Sequence, residues 1–380
     1  MAQRLKTDWI LFTTVLAMVF FGIVMLYSAS SVMANLKFGS TWYFVARQCI
    51  WTLVALLTMM ALKRINYRNL QNPGVAFPAI GIALILLVAV YFIDSAHHRW
   101  LRIGPVGLQP SELAKPALVI FLAFFVTLRA RAINNWYTLA PAAMAVGLVI
   151  LAVIEPDLGT AVVMGVTAAV VFIVAGLELR YCMIATSFAL VGVVFFIASK
   201  PYRVARIIGY IDPGYKITER LDRNGYLQSY LRKSMVSRDT SYQAEQSKIA
   251  VGAGGVLGQG LMQGKQKLLL YLPEAHTDFI YAVVCEEMGL FGSVGVLLAF
   301  LVIFWRGLRA TVLIPDDFGR YLALGVTTMV VVQALVNMTV ALGMTPTKGI
   351  PLPMISFGGS SLLSTLVSLG ILMNVSEHAG

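Results

Sequence analysis

Ten apolar runs set the terms for everything else in this chain. They fall at about 9–29, 43–62, 74–93, 111–128, 138–154, 158–177, 181–199, 278–305, 318–343 and 356–375. Most approach the roughly 20 residues that cross a hydrocarbon core as a helix. Inside lipid each backbone amide must pair within the protein, which leaves helices as the economical way to span. The expectation is an all-α polytopic membrane protein with ten transmembrane helices. Only 12% of the 380 residues are charged and 58% are hydrophobic, against roughly 25% charged in a soluble domain. The first run, from Trp9 to Tyr27, is longer than a signal-peptide core of about 7–15 residues and reads as a retained span.

Orientation follows from the basic residues of the short loops. With the amino terminus in the cytoplasm, the inner set is Arg4, Lys6, Lys63, Arg64, Arg68, Arg129, Arg131, Arg180, Arg306, Arg309 and Arg320. The outer set is Lys37, Arg99, Arg102 and Lys348. Both termini are therefore placed in the cytoplasm, with a large extracytoplasmic loop, 200–277, between helices 7 and 8. Residues 1–380 read as a single membrane domain containing that loop. The net charge of +11 is explained by this bias and by anionic lipid surfaces, so no nucleic acid partner is expected.

The polar motifs all land on the outer side: "HHRWLRIGPVGLQPSELAK", "EPDLGTA", the long loop, "LPEAHTDF" and "GMTPTKGIPLPMISFGGSS". In "LPEAHTDF", Thr277 is placed to cap a helix, with Asp278 in its first turn, where the dipole favours a carboxylate. Glu274 and His276 crowd the same rim. Deeper in that run, Glu286 and Glu287 lie about 80° and 180° around an ideal helix from Asp278. They read as a separate matter, Glu286 as a structural hydrogen-bonding group inside the bundle.

Pro110 and Ser111 open the fourth span, and Glu112 and Lys115 share a face three residues apart. They read either as a structural ion pair or as a site in which Lys115 holds an anionic ligand group oriented by Glu112. Asp157, beside Glu155, reads first as the cap of the sixth helix. In "YRVARIIGYI", Arg203 and Arg206 lie on one side of a short amphipathic helix near lipid head groups. The glycines of "IAVGAGGVLGQGLMQG" permit close backbone approach. Ser356, Ser360 and Ser361 flank a glycine pair suited to helix packing or to a broken-helix ligand site. Cys49, Cys182 and Cys285 read as buried hydrophobes, and the histidines are too scattered to define a metal site. No P-loop, dinucleotide fingerprint, zincin helix or serine-nucleophile elbow occurs, which argues against ATP-driven transport by this chain alone.

Taken together and in order, "RWLRIGPVGLQPSELAK", "EPDLGTA", "PYRVARI", "LPEAHTDFI" and "PTKGIPLPMISFGGSS" resemble the SEDS family of shape, elongation, division and sporulation proteins, over nearly the whole chain. "LPEAHTDFI" and "PTKG" are closer to its FtsW-like division members, while "QSKIAVGAGG" leans toward the RodA-like elongation members. The resemblance implies a peptidoglycan glycosyltransferase that polymerises lipid II at the outer face of the bacterial cytoplasmic (inner) membrane. The donor would be the strand on undecaprenyl pyrophosphate, and the acceptor the 4-hydroxyl of a new lipid II. The family's essential aspartate falls on Asp278, as general base.

For the pyrophosphate the resemblance implies positive charge from Lys115, Arg203, Arg206 and Lys348, with a divalent cation (Mg or Mn) as an additional neutraliser. Glu112 resembles the acid of the family's ion pair, and Arg99 and Arg102 match its "RWLRIG" motif. His276 and Glu274 would support the rim, and Ser356 and Ser360 line the last loop. The implied partners are a class B penicillin-binding protein acting as transpeptidase and other divisome or elongasome membrane proteins. Two other readings compete: a lipid II flippase or transporter, which would place its key groups near midplane, and a non-catalytic scaffold, which has no use for the Asp278 cluster.

Overall fold

The computed structural model describes residues 7–94, 98–103, 106–212, 236–265, 275–346 and 349–379. Nine of its described helices are long and apolar enough to cross a membrane. They are α1 (Trp9–Phe38), α2 (Tyr43–Arg64), α3 (Pro73–Ile93), α4 (Pro110–Arg129), α5 (Trp136–Ile154), α7 (Leu179–Ala198), α10 (Ile280–Leu313), α11 (Asp317–Ala341) and α12 (Gly359–His378). The run expected at 158–177 is α6 (Leu158–Val174), seventeen residues and shorter than the others. The chain is a multi-pass helical membrane protein. Large apolar side chains on the perimeter, Phe92, Phe188 and Phe195 among them, are more than three-quarters exposed. In water that would be a liability, whereas in lipid it is the expected outer surface.

The helices start where the sequence supplies acceptors for their orphan amides. Asp8 accepts from Leu11, Asn72 from Gly74, Asn135 from Tyr137, Asp157 from Thr160 and Asp316 from Gly319. Proline occupies the first helical position of α3, α4 and α8 (Pro201–Ile211), where its missing N–H is no loss. Helix α1 runs nine residues beyond the expected span end and stops at Gly39 in the left-handed conformation.

Helices α4, α11 and α12 form the centre, with 72–78% of their spanning residues buried, while α7 buries none. Around them, α12 lies along α2 and α4, and α10 packs between α1, α9 (Val236–Gly254) and α11. Among the described residues, the segment after α7 holds α8, α9 and a glycine-rich stretch, 255–264, docked on α10. A two-stranded hairpin, β1 (Leu101–Ile103) and β2 (Val106–Leu108), joins α3 to α4.

Helix α10 is broken. Gly289 has φ 63° and ψ −153°, a conformation open to glycine and strained for other residues. The carbonyls of Glu286 and Glu287 accept from the amides of Gln259 and Gly260, and the amide of Leu290 donates to Gly255 and Val256. The glycine-rich stretch thus supplies the hydrogen bonds that the break removes.

One placement differs from expectation. Helix α10 begins at Ile280 with Phe279 as its N-cap, so Thr277 does not occupy the N-cap position and Asp278 lies in the turn before the helix. The helical-wheel angles from Asp278 to the two glutamates consequently do not apply. Glu287 is buried and accepts from the Ser28 hydroxyl on α1 at 2.6 and 2.8 Å. Glu286 is buried beside Gly264.

Candidate active site

The polar motifs converge at one end of the bundle, where α4, α6, α10 and α12 begin and α3 and α11 end. The loop 349–358, between α11 and α12, is laced to residues 276–278. Phe357 N–H donates to the His276 carbonyl at 2.9 Å, and the Ser356 hydroxyl donates to the Thr277 carbonyl at 2.6 Å while accepting from Leu352 N–H at 2.8 Å. Gln48 of α2 grips the same loop at the Ser356 carbonyl and the Gly358 amide. Met354, buried within the loop, is held at φ 67°, a conformation that survives only when its surroundings over-determine it.

Asp278 is half-buried on this seam. A methyl added at Gly349 would sit 2.7 Å from Asp278 Oδ2 and 3.8 Å from Arg99 Nη1, so only a bare backbone leaves the carboxylate its place. Arg99 donates to the Gly349 carbonyl at 3.2 Å and pairs with Asp157 Oδ2 at 3.5 Å. Asp157, buried, is more than a cap: it also accepts from the Thr160 hydroxyl and from Gln109 Nε2 at 3.0 Å. Asp94, just after α3, accepts from the amides of Arg99 and Trp100. Arg99 thus pairs with the buried Asp157, and the half-buried Asp278 lies against Gly349, whose carbonyl Arg99 holds.

The other candidates divide. Lys115 and Glu112 form a 2.7 Å ion pair in the interior, with side chains 3% and 0% exposed. Lys115 also donates to Gln333 Oε1 at 2.6 Å, so the structural ion pair is the reading its geometry carries. Arg203 stacks on Phe196 and donates to the carbonyls of Phe196 and Glu155, bracing the corner between α7 and α8. Arg102 is exposed on the hairpin. His276 is buried, its ring 4.6 Å from that of Phe44. Ser356 braces the loop, and Ser360 is buried in the first turn of α12. Glu274, Lys348 and the Arg206 side chain lie outside the described residues. Attention to charge alone passes over Gln48, Gln109, Gln333 and Asn337, all buried carboxamides at this end. Their signal is the expense of a polar group inside an apolar span.

The opposite end is closed by a second polar network. Asp8 pairs with Arg306 at 2.7 Å and accepts from Ser376, and Lys63 pairs with Glu377 at 3.0 Å. The Tyr67 hydroxyl donates to Asp316, which also meets Arg68 at 3.3 Å. Burial and the Asp316 contact push the Tyr67 phenol up to about 12. Burial alone would raise Asp316, but the Tyr67 hydroxyl, the Gly319 amide and the Arg68 guanidinium outweigh it and hold the carboxyl below its ordinary range.

Fold and site together define a class: a multi-pass helical bundle with a seam of polar groups at one end. The chain belongs to the cell cycle protein family of FtsW, RodA and SpoVE, matching it over residues 8–380. It is 38% identical to the probable peptidoglycan glycosyltransferase FtsW of Geobacter metallireducens, over 98% of this chain and 95% of that one. It is 33% identical to the stage V sporulation protein E of Bacillus subtilis, over 99% of each. Among solved structures it resembles a chain of a peptidoglycan synthase complex described as coordinating polymerization and crosslinking (TM-score 0.74, 28% identity, 98% of both chains). It also resembles the rod shape determining protein RodA of Thermus thermophilus (TM-score 0.67, 27% identity, 99% of this chain and 98% of that one).

Proposed function

We propose that the protein is a peptidoglycan glycosyltransferase of the FtsW type, polymerising lipid II at the outer face of the cytoplasmic membrane with Asp278 as general base. The observation that carries the reading is one half-buried acid, seated against Gly349 and Arg99 at the polar end of a membrane bundle. Relatives named as glycosyltransferases along the full length of the chain support it.

In the proposed step the Asp278 carboxylate takes the proton of the acceptor 4-hydroxyl as that oxygen attacks the anomeric carbon of the donor strand. The bond from that carbon to the pyrophosphate oxygen breaks, and the undecaprenyl pyrophosphate leaves with the electron pair. General-base help of this kind is worth ~10²–10⁴-fold. Positive charge for the leaving group is available from Arg99 and Arg102, with Lys348 directly preceding Gly349 in the chain. Lys115 is too deeply committed to Glu112 and Gln333 to serve. Among the described residues no three His, Cys, Asp or Glu side chains gather as a metal site. A Mg or Mn ion, however, would need only about one or two carboxylates beside the substrate's phosphates, and Asp278 would be the one to hold it and help neutralise the leaving group. The gathering of the reactive groups at one end, rather than at mid-span, favours a polymerase over a transporter.

The partner proposed is a class B penicillin-binding protein whose transpeptidase cross-links the strands, by analogy with the synthase complex whose chain this one resembles. The test is purified protein, with that partner, given lipid II. Native protein is expected to make glycan polymer, and Asp278→Ala and Asp278→Asn to lose at least ~10²-fold in rate. Polymer made equally well by Asp278→Ala would sink the assignment.

A further inference from the structure

Asp278 and the loop 349–352 belong to segments about seventy residues apart, yet their backbones are held by the same side chains. Asn337, on α11 and 1% exposed, donates both of its amide hydrogens to main-chain carbonyls, that of Asp278 at 2.8 Å and that of Ile350 at 2.7 Å. One turn earlier on the same face, Gln333 donates from Nε2 to the Pro351 carbonyl at 2.9 Å. Its Oε1 is taken by Lys115, which is paired with Glu112.

The backbone explains why side chains must do this. Asp278 precedes α10, and the loop "IPLP" has prolines at 351 and 353, which carry no N–H with which to build a ladder. The carbonyls of 278, 350 and 351, buried at Ile350 and part-buried at the other two, take their donors from elsewhere. The two carbonyls also fix which way Asn337 points, since the reverse orientation would aim its oxygen at both. That oxygen, Oδ1, is buried without a hydrogen-bond partner among the described residues. An amide retained here at that expense is explained by its two donors.

We propose that Asn337 and Gln333 form a carboxamide clasp that sets the separation of Asp278 from Gly349, making both of them positioning residues for the reaction. The proposal rests on the assignment of Asp278 as the base. Through Gln333 the clasp is anchored to the Glu112–Lys115 pair, so that pair acts on the site through the loop rather than by touching substrate. Neither carboxamide is exposed to substrate, so their loss acts on turnover and not on lipid II binding.

The experiment uses the full chain with its partner, comparing Asn337→Leu, which keeps the shape without the donors, and Gln333→Glu, which keeps the acceptor for Lys115 without the donor to Pro351. Since ~1 Å of misplacement can cost ~10²-fold, kcat should fall roughly 10- to 100-fold with KM for lipid II within about twofold. Amide hydrogen exchange in 276–280 and 349–352 should rise with the melting temperature near native. A native kcat in folded variants overturns the clasp, as does a lowered kcat with unchanged exchange in those peptides. If Asn337→Leu does not fold, Gln333→Glu decides alone. Asp278→Ala separates the two claims. If it still polymerises, the base assignment fails whatever the exchange shows. If it is dead while both clasp variants turn over normally, the clasp alone fails.

Discussion

Lys115 shows how burial decides between two roles that spacing leaves level. A lysine three residues from a glutamate suits a phosphate clamp or an internal ion pair, and a 3% exposed side chain with two partners suits the second. Removing one partner of a buried pair strands the other charge, at about 3–5 kcal/mol. Lys115→Ala is therefore expected to lower the melting temperature in detergent sharply, and Glu112→Leu with Lys115→Met to recover much of it. A Lys115→Ala protein that melts like the native one but binds lipid II weakly would favour the clamp. At this scale the sequence was readable at Asp157, which caps α6 as expected, whereas Asp278 lies before its helix rather than in its first turn. Asn337 and Gln333 were not read, because a neutral carboxamide at an apolar helix position announces no partner until the facing carbonyls are in place.

Among the elements, α10 owes its break to a segment whose composition already suggested close approach. A Cβ at Gly254 would run into the Cys285 carbonyl, an atom of the main chain that cannot swing aside. At Gly252, two residues earlier in α9, nothing lies within 4 Å. Gly254→Ala should unseat the 255–264 stretch and lower the melting temperature. Gly252→Ala should be neutral or stabilising, by up to about 1 kcal/mol from helix propensity. Equal effects in thermal unfolding would show that the docking is not tight. Helix existence was legible because apolar length dictates it in lipid, and most starts were marked by Asn, Asp or Pro. The start of α10 was misplaced by a few residues because Thr277 looks like a cap. Its carbonyl is instead engaged by Ser356, a partner 79 residues away.

For the whole molecule, the two polar ends have different characters. One holds a half-exposed acid; the other ties Asp8, Lys63, Tyr67, Arg306, Asp316 and Glu377 into a closed network. Asp316 is held below its ordinary range. Its stabilising share is present above an unfolded value near ~4 and is lost as pH falls. Tyr67 is pushed from 10.0 to about 12, so its share is complete below pH 10 and is lost as pH rises toward 12. Melting temperature should therefore form a plateau between these limits. Tyr67→Phe, which deletes the donor to Asp316, should cost about 1 kcal/mol of stability and flatten the alkaline limb. An alkaline limb unchanged in Tyr67→Phe would assign that titration to another group. The polar motifs of the outer end were visible in the loops of the sequence, whereas the second network was not read, because its pairs join helices far apart in the chain.

The lacing of the last loop has a consequence for biosynthesis. The reactive seam draws on residues 99, 157, 278, 333, 337 and 349–358, so its last parts leave the ribosome only after α11. A nascent protein halted after α10 already contains the acid but has neither the loop against which it sits nor the helix that holds its carbonyl. The order of synthesis thus leaves the acid without its loop until α11 has been made, with α12 still to follow.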